Sequence, residues 1–283
     1  MAYNNLSSIN QRSHINTPFM TAEKVTILAD KNFEAPSVFL PQNLLREARR
    51  QKGIAFGDIP RICVLDPDGD IVEYLKNHNL TTLHPHWACY HTDLYQASCQ
   101  NLNFGIIGCA VGASFAVLLA EQLFASGCEL LISITSAGTV NQPSGDCRFI
   151  LIDSALRDEG TSYHYLPPTQ PAILDPLLKS MLTQSFSNLS ISVQAGKSWT
   201  TDAPYRETLT SIQAAKDQGA ISVEMEAAAL YAFAIAQQRR VVCYAHLTNT
   251  MAQDGEDFEK GLENGSIDSL QLILHTAATL LRD

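Results

Sequence analysis

Positive charge is scarce in this chain: 19 Lys and Arg stand against 29 Asp and Glu, a formal net charge of -10 over 283 residues. Such a surface repels a phosphate backbone, so no nucleic-acid partner is expected, although a pocket with a few local donors still admits a small anion. Metal-ligand spacing is missing as well. The seven cysteines, at 63, 89, 99, 109, 128, 147 and 243, are odd in number and contain no C-x-x-C pair, which argues against a zinc knuckle and a disulfide framework. Several lie in apolar runs, where a thiol packs as a small hydrophobe, and a reducing compartment is expected. No window approaches the ~18 apolar residues of a membrane span. The opening stretch MAYNNLSSINQRSH lacks the apolar core of a signal peptide. The expected location is therefore cytoplasmic, without a membrane partner, metal or organic cofactor.

What is present is an alternation of strands and helices. Residues 1–35 are polar and aperiodic and read as an N-terminal arm, leaving 36–283 as one domain. PQNLLREARRQKG (41–53) reads as a short basic helix with Pro41 in its first turn and Gly53 as its stop. From Arg61 the strands RICVL, HWACYHTDLYQ, FGIIGCA, ELLISITSAG, RFILIDSA, ISVQAG and VVCYAHLT are expected. Between and after them come helices in IVEYLKNH, 114–127, 175–186, 223–238 and about 266–282. Strand, glycine turn, helix and strand within about 35 residues make a βαβ-type unit and an α/β fold.

Ligands of such sheets bind beyond the carboxyl ends of strands. Three ends place small or polar residues there: GCAVG (108–112), TSAG (135–138) and HLTNT (246–250). The glycine turn could cradle an anion at a helix N-terminus, but it is not G-x-G-x-x-G, and tight turns also use glycine for steric reasons. In Ser222-Val-Glu-Met-Glu-Ala-Ala-Ala-Leu, Ser222 is a fair N-cap and Glu224 suits the helix dipole. Glu226 is harder to explain structurally, because the residues after it are apolar on every face. A carboxylate on a buried helix needs partners, and sugar hydroxyls would serve. His164 and His246 read first as structural histidines, and Cys109 lacks an evident base to activate it.

SVEMEAAALYAFA resembles the ribose-binding signature of nucleoside phosphorylases, the uridine phosphorylase branch in particular. FGIIGCAVGASFAVLLAEQL with LLISITSAGTV, RDEGTSYHYLPP and GKSWTTDAPYRET are similar to further family segments, so the likeness runs from about 60 to 255. It implies a single-domain three-layer αβα fold with a mixed, partly barrel-like central sheet, assembled as a homo-oligomer, a dimer or trimer of dimers. It also implies Glu226 on the ribose hydroxyls with Met225 beneath the sugar and Glu224 beside them. Ser136 and Gly108 would meet phosphate, and Trp199, Thr200, Thr201, Asp202 and Arg206 would surround the base. Phosphate would be a co-substrate, giving free base and ribose 1-phosphate.

Departures from the family pattern fall on the phosphate site. Ser133 stands where a phosphate-site arginine is expected, and Leu65-Asp66-Pro67-Asp68-Gly69-Asp70 stands for the family's Gly-Asp-Pro-x-Arg loop. A third arginine, contributed in relatives by a neighbouring subunit, has no counterpart in HWACYHTDLY. Bidentate cations normally carry phosphate recognition. Either Arg46, Arg49 or Arg50 of the basic helix replaces them, or the nucleophile is water, or the chain binds nucleosides without turnover. Asn249 stands where purine-specific relatives carry an aspartate, and an amide hydrogen-bonds without donating a full proton. This points towards a pyrimidine, uridine-like base, with Asp254 and Asp257 nearby in the chain as other acids.

Overall fold

The computed structural model describes residues 31–168, 171–250 and 259–281. Contacts divide the chain after Asn32, and every element below belongs to the second unit, Phe33–Asp283. Most of the expected arm, 1–35, lies outside the described residues, as do Asp254 and Asp257.

In chain order the elements are α1 (Pro41–Lys52), β1 (Ile62–Asp66), α2 (Asp70–Asn77), β2 (Thr81–Leu83), β3 (Tyr95–Cys99), β4 (Leu102–Gly108), α3 (Ala113–Ala125), β5 (Leu130–Thr139), β6 (Phe149–Asp158), β7 (Ala172–Ile173), α4 (Pro176–Ser185), β8 (Val193–Thr201), α5 (Leu209–Asp217), β9 (Ala220–Glu224), α6 (Ala227–Gln237), β10 (Arg240–Thr250) and α7 (Ser266–Leu280). The long strand β5 organises the sheet. It pairs in parallel with β1 over Leu130–Ser133 and with β10 along Leu130–Thr139, then antiparallel with β9 at Gly138 and Thr139. β10 continues antiparallel to β6, and β6 and β8 lead in parallel steps back to β9. Strands β5, β10, β6, β8 and β9 thus close into a ring, while β1, β4, β3 and β2 extend from β5 as an open wing. This is the expected α/β fold with a mixed, partly barrel-like sheet.

The strand compositions follow from this placement. Every residue of β1 is buried, paired on both edges by β4 and β5, and its first four residues, ICVL, are accordingly a continuous apolar run rather than an alternation. Helix α6, AAALYAFAIAQ, is buried continuously over Ala227–Phe233, between the ring and α3. An all-apolar helix is stable only in such a position.

Three local expectations are corrected. The helix expected from Val223 starts at Ala227, because 220–224 is committed to strand β9 between β5 and β8. Ser222 is therefore a buried strand residue donating to Ser198 Oγ at 3.0 Å, not an N-cap. HWACYHTDLYQ is not a strand until Tyr95; there the chain loops inward, and the Trp87 indole N–H donates to the Thr92 carbonyl at 3.1 Å. The strand expected at 191–196 runs on through Trp199, Thr200 and Thr201, which are ladder residues rather than loop.

Tyr231 ties α6 into the ring. Its hydroxyl donates to the Ile152 carbonyl at 2.5 Å and accepts from the Cys243 N–H at 3.0 Å, both fully buried. Tyr231→Phe leaves both backbone groups without that partner. Urea unfolding should show a loss of roughly 1–3 kcal/mol, and a loss under about 0.5 kcal/mol would contradict this role.

Candidate active site

Strand β9 ends at Glu224, and the chain turns through Met225 and Glu226 into α6. Glu224 supplies the cap: Oε2 accepts from the N–H groups of Glu226 at 2.8 Å and Ala227 at 2.7 Å. Its Oε1 accepts from Thr200 Oγ1 at 2.5 Å and Ser198 Oγ at 3.1 Å. The carboxylate at a helix N-terminus, saturated by neutral donors, accounts for Glu224 as structure. Glu226 occupies the N-cap position with φ -128° and ψ -40°, so its side chain leaves the helix axis instead of lying on a helical face. It crosses to the glycine turn, where the Gly112 N–H donates to Oε1 at 2.6 Å. Its other oxygen, Oε2, receives a long bond from the Met225 N–H at 3.3 Å. The helix N-terminus after the glycine turn is already occupied, by the protein's own Glu226 carboxyl group.

Glu226 is buried, and burial together with the neighbouring Glu224 charge pushes its carboxyl up to about 8. Burial likewise raises Glu224. Such an acid is protonated over much of the neutral range and exchanges between donor and acceptor near physiological pH.

Glu226, Glu224, Met225 and Asn249 line one cavity of about 410 Å³, shared with Asp68, Val111, Thr135, Ser136, Tyr205 and Glu207. Its volume falls within the range of about 300–1,000 Å³ usual for small-molecule sites. It lies beyond the carboxyl ends of β1, β5 and β9, the position expected for an α/β sheet. Four carboxyl groups and no arginine or lysine line it, among the described residues. Burial raises the Glu207 acid as well. Glu207 and Tyr205 were not anticipated from sequence, although both belong to the segment singled out for the base.

The phosphate-site residues separate. Ser136 faces the cavity, but its N–H and its Oγ donate, each at 2.8 Å, to the two carboxylate oxygens of Asp68. Asp68 comes from the loop after β1. That loop is fixed by the buried Asp66, whose carboxyl accepts from the N–H groups of Gly69 at 3.1 Å and Val72 at 2.9 Å. Burial, reinforced by the nearby Asp68 and Asp70 charges, pushes Asp66 up to about 7. Gly69 is required at φ 84°, and a Cβ there would lie 2.8 Å from Cys109 Sγ. Lys260 pairs with Asp70 at 2.5 Å and reaches Asp68 at 3.7 Å. Ser133 is buried within β5 away from the cavity lining, and its Oγ has no partner among the described residues. Gly108 is also outside the lining; a Cβ there would press on Val72, so its smallness serves the approach of α2.

Of the expected base-site residues, none lines this cavity. Trp199 donates to Asp158 Oδ2 at 2.9 Å and lines a second cavity with Arg157, Tyr163 and Gln218. Thr200 is spent on Glu224, and its Oγ1 accepts from the Ala228 N–H at 3.0 Å. Thr201 accepts from the Ala203 N–H at 3.2 Å, and Asp202 from the Gly160 N–H at 2.8 Å. Arg206 is exposed on the turn beyond Tyr205. The physical reason is the extended β8, which carries 199–201 into the ring wall. Helix α1 does not fold over the site either: Leu45 and Ala48 pack with Ala88 and Ala125, and Arg46, Arg49 and Arg50 border a separate cavity with Phe56. Replacement of the missing arginines by α1 within this chain is thereby overturned.

His246 is buried, stacked on Phe149 at 4.5 Å, and pushed down to about 4 first by burial and then by Arg148, so it is a neutral structural group. His164 and Cys109 are exposed and lie outside the cavity lining. Among the described residues no three His, Cys, Asp or Glu side chains are arranged to hold a metal ion, and no helix is long and apolar enough to cross a membrane.

Comparison with known proteins gives a consistent picture. A family profile described as the phosphorylase superfamily matches residues 61–278. The chain is similar to guanosine phosphorylase of Halorubrum lacusprofundi, 22% identical over 178 residues, covering 63% of this chain and 68% of that one. By structure it is similar to purine nucleoside phosphorylase from Toxoplasma gondii in complex with immucillin-H, with TM-score 0.67, 15% identity and 79% and 92% of the two chains covered. It is also similar to uridine phosphorylase from Vibrio fischeri, with TM-score 0.62, 19% identity and 77% and 92% covered. Purine and uridine enzymes both occur among these neighbours, so the uridine branch is not singled out.

The raised Glu226 carboxyl makes stability depend on pH with a definite sign. Between its unfolded value, near 4.5, and about 8, the native state holds a proton that the unfolded chain has lost. Stability is therefore fully present below that window and falls as pH rises through it, by at most about 1.4 kcal/mol per pH unit. Denaturation of wild type and Glu226→Gln between pH 5 and 8 should show the variant gaining on wild type as pH rises; parallel curves would contradict the assignment.

Proposed function

The chain belongs to the phosphorylase superfamily, and from that premise we propose that it is a pentosyltransferase-type enzyme that cleaves the N-glycosidic bond of a nucleoside. The observation that carries this reading is Glu226: a buried carboxyl group in the cavity wall, held from behind by the Gly112 N–H, with a long bond from the Met225 N–H and the Thr135 hydroxyl as its other partners. The pentose hydroxyls would bind there, with Met225 under the sugar. As the C1′–N bond stretches, positive charge grows on the sugar, and the ionised form of Glu226, whose share rises as pH approaches about 8, stabilises that charge without reorganising. Negative charge grows on the base, where the Asn249 amide and the Glu207 acid supply hydrogen bonds across the same cavity.

For the base we propose a uridine-like pyrimidine, supported by an amide rather than an acid at Asn249; the carbonyl and N–H edge that an amide matches also occurs on oxopurines. A cytoplasmic homo-oligomer fits the same proposal. Support for association is the exposed apolar side chains Val38, Phe39 and Phe56 in the segments flanking α1, which size-exclusion chromatography with light scattering can test.

Family precedent makes inorganic phosphate the acceptor and ribose 1-phosphate the product. A second reading, transfer to water, is favoured by one observation, the Asp68 carboxylate on both donors of Ser136. A phosphate charge about 4 Å from that carboxylate would meet roughly 4 kcal/mol of repulsion per unit charge at an effective dielectric near 20.

Purified protein incubated with pyrimidine and purine nucleosides, with and without phosphate, should release free base. Glu226→Ala should lower kcat/KM by about 10²–10³, the effect of losing one preorganised electrostatic partner. Retention of activity within tenfold of wild type would sink the role of Glu226.

A further inference from the structure

Ser136 offers two donors at the cavity end of β5, a main-chain N–H and a hydroxyl, the pair that an anion would use. Both are taken by the two oxygens of Asp68, each at 2.8 Å. The contact spans 68 positions of chain and is built rather than incidental. Asp66 clamps the loop behind it through Gly69 and Val72, and Lys260 steadies its far side through Asp70. Asp68 itself remains part-exposed and lines the cavity that Glu226 and Asn249 share. Each carboxylate oxygen keeps a lone pair after its bond to Ser136. The arrangement is a base held in place beside the proposed sugar site, and it stands where an acceptor anion would have to sit.

We infer that Asp68 is a catalytic base and that the pentosyl acceptor of this chain is water. The inference rests on the nucleoside-cleaving reading above. In the step, a water O–H bond breaks and its proton passes to Asp68, while the water oxygen forms the bond to C1′. The C1′–N bond breaks with its electron pair leaving on the base, and the base takes a proton from solvent. Asp68 returns its proton to solvent, so the net change is nucleoside plus water giving free pentose plus base. Phosphate is the poorer acceptor because it would have to displace Asp68 from Ser136 and then remain next to it, with no arginine or lysine among the described lining residues and Lys260 already paired with Asp70.

The test has two arms on the full-length protein. In the first, wild type, Asp68→Asn and Asp68→Ala are given a nucleoside panel in ¹⁸O-labelled water, with and without millimolar inorganic phosphate. Wild type should yield free pentose labelled at C1 at a rate unmoved by phosphate, and both variants should lose about a hundredfold or more in kcat, the usual worth of a general base. Pentose 1-phosphate from wild type, or Asp68→Asn within tenfold of wild type, overturns the inference. In the second arm, calorimetry with inorganic phosphate alone requires no turnover. Wild type should show no saturable binding, whereas Asp68→Ala, with the Ser136 donors vacated and Lys260 nearby, should bind it. Phosphate binding by wild type, or by neither protein, overturns the occupancy on which the inference stands. If wild type cleaves no nucleoside, the proposed function fails on its own, and this second arm still decides what Asp68 does at Ser136. Asp68→Asn keeps the side-chain volume and an acceptor for Ser136, so a folding defect confined to Asp68→Ala leaves the first arm decisive.

Discussion

A carboxylate taken out of water without a cation beside it must be satisfied by neutral donors or keep its proton, and the cavity is arranged around one such group, Glu226. The Gly112 N–H at 2.6 Å comes from the turn between β4 and α3, while Glu226 itself starts α6. One bond therefore joins the two helices that cover the same side of the sheet to the strand ends that form the cavity. Glu224 makes this possible by capping α6 in place of Glu226, so that Glu226 is released from helix duty. Glu224 is in turn fixed by Thr200 and Ser198 from β8, so the closed ring positions the site.

Charge in the cavity is strongly one-sided. Asp68, Glu207, Glu224 and Glu226 all line it, and Lys260 is committed to Asp70 and Asp68 from outside the lining. Protonation relieves this crowding, as the upward shifts at Glu207, Glu224 and Glu226 indicate, each caused first by burial. Such a cavity suits a cationic transition state on the sugar better than a dianionic co-substrate. This one physical property unites the loss of phosphate-site arginines with the gain of Asp68.

Much of the fold was legible in the sequence because buried strands and helices leave continuous apolar runs at fixed lengths; β1, β5, α3 and α6 fall within a few residues of expectation. Glu226 was legible too, as an acid followed by apolar residues on every side. What escaped was set by long-range pairing. Ser222 to Glu224 read as the cap and start of a helix, yet β5 and β8 claim them as strand, and Trp199 to Thr201 were expected around the base until β6 drew them into the ladder. The bond between Asp68 and Ser136 crosses the sheet from β1 to β5, and no local spacing encodes it. The extra acid in the loop was visible as a departure, but its destination was not. Basic helix α1 carried the right charge and the wrong position, since its apolar face of Leu45 and Ala48 directs it to Ala88 and Ala125.

The central claim, that Glu226 holds the pentose hydroxyls, is tested most directly by calorimetric binding of a nucleoside and its 2′,3′-dideoxy analogue to wild type and Glu226→Ala. The account predicts that above about pH 8, where Glu226 is ionised, removing the hydroxyls costs wild type roughly 1.5–3 kcal/mol, the range for hydrogen bonds to a charged group. The same removal should cost the variant little, leaving a clear coupling energy between side chain and hydroxyls. Equal losses in both proteins would place the sugar elsewhere and contradict the account.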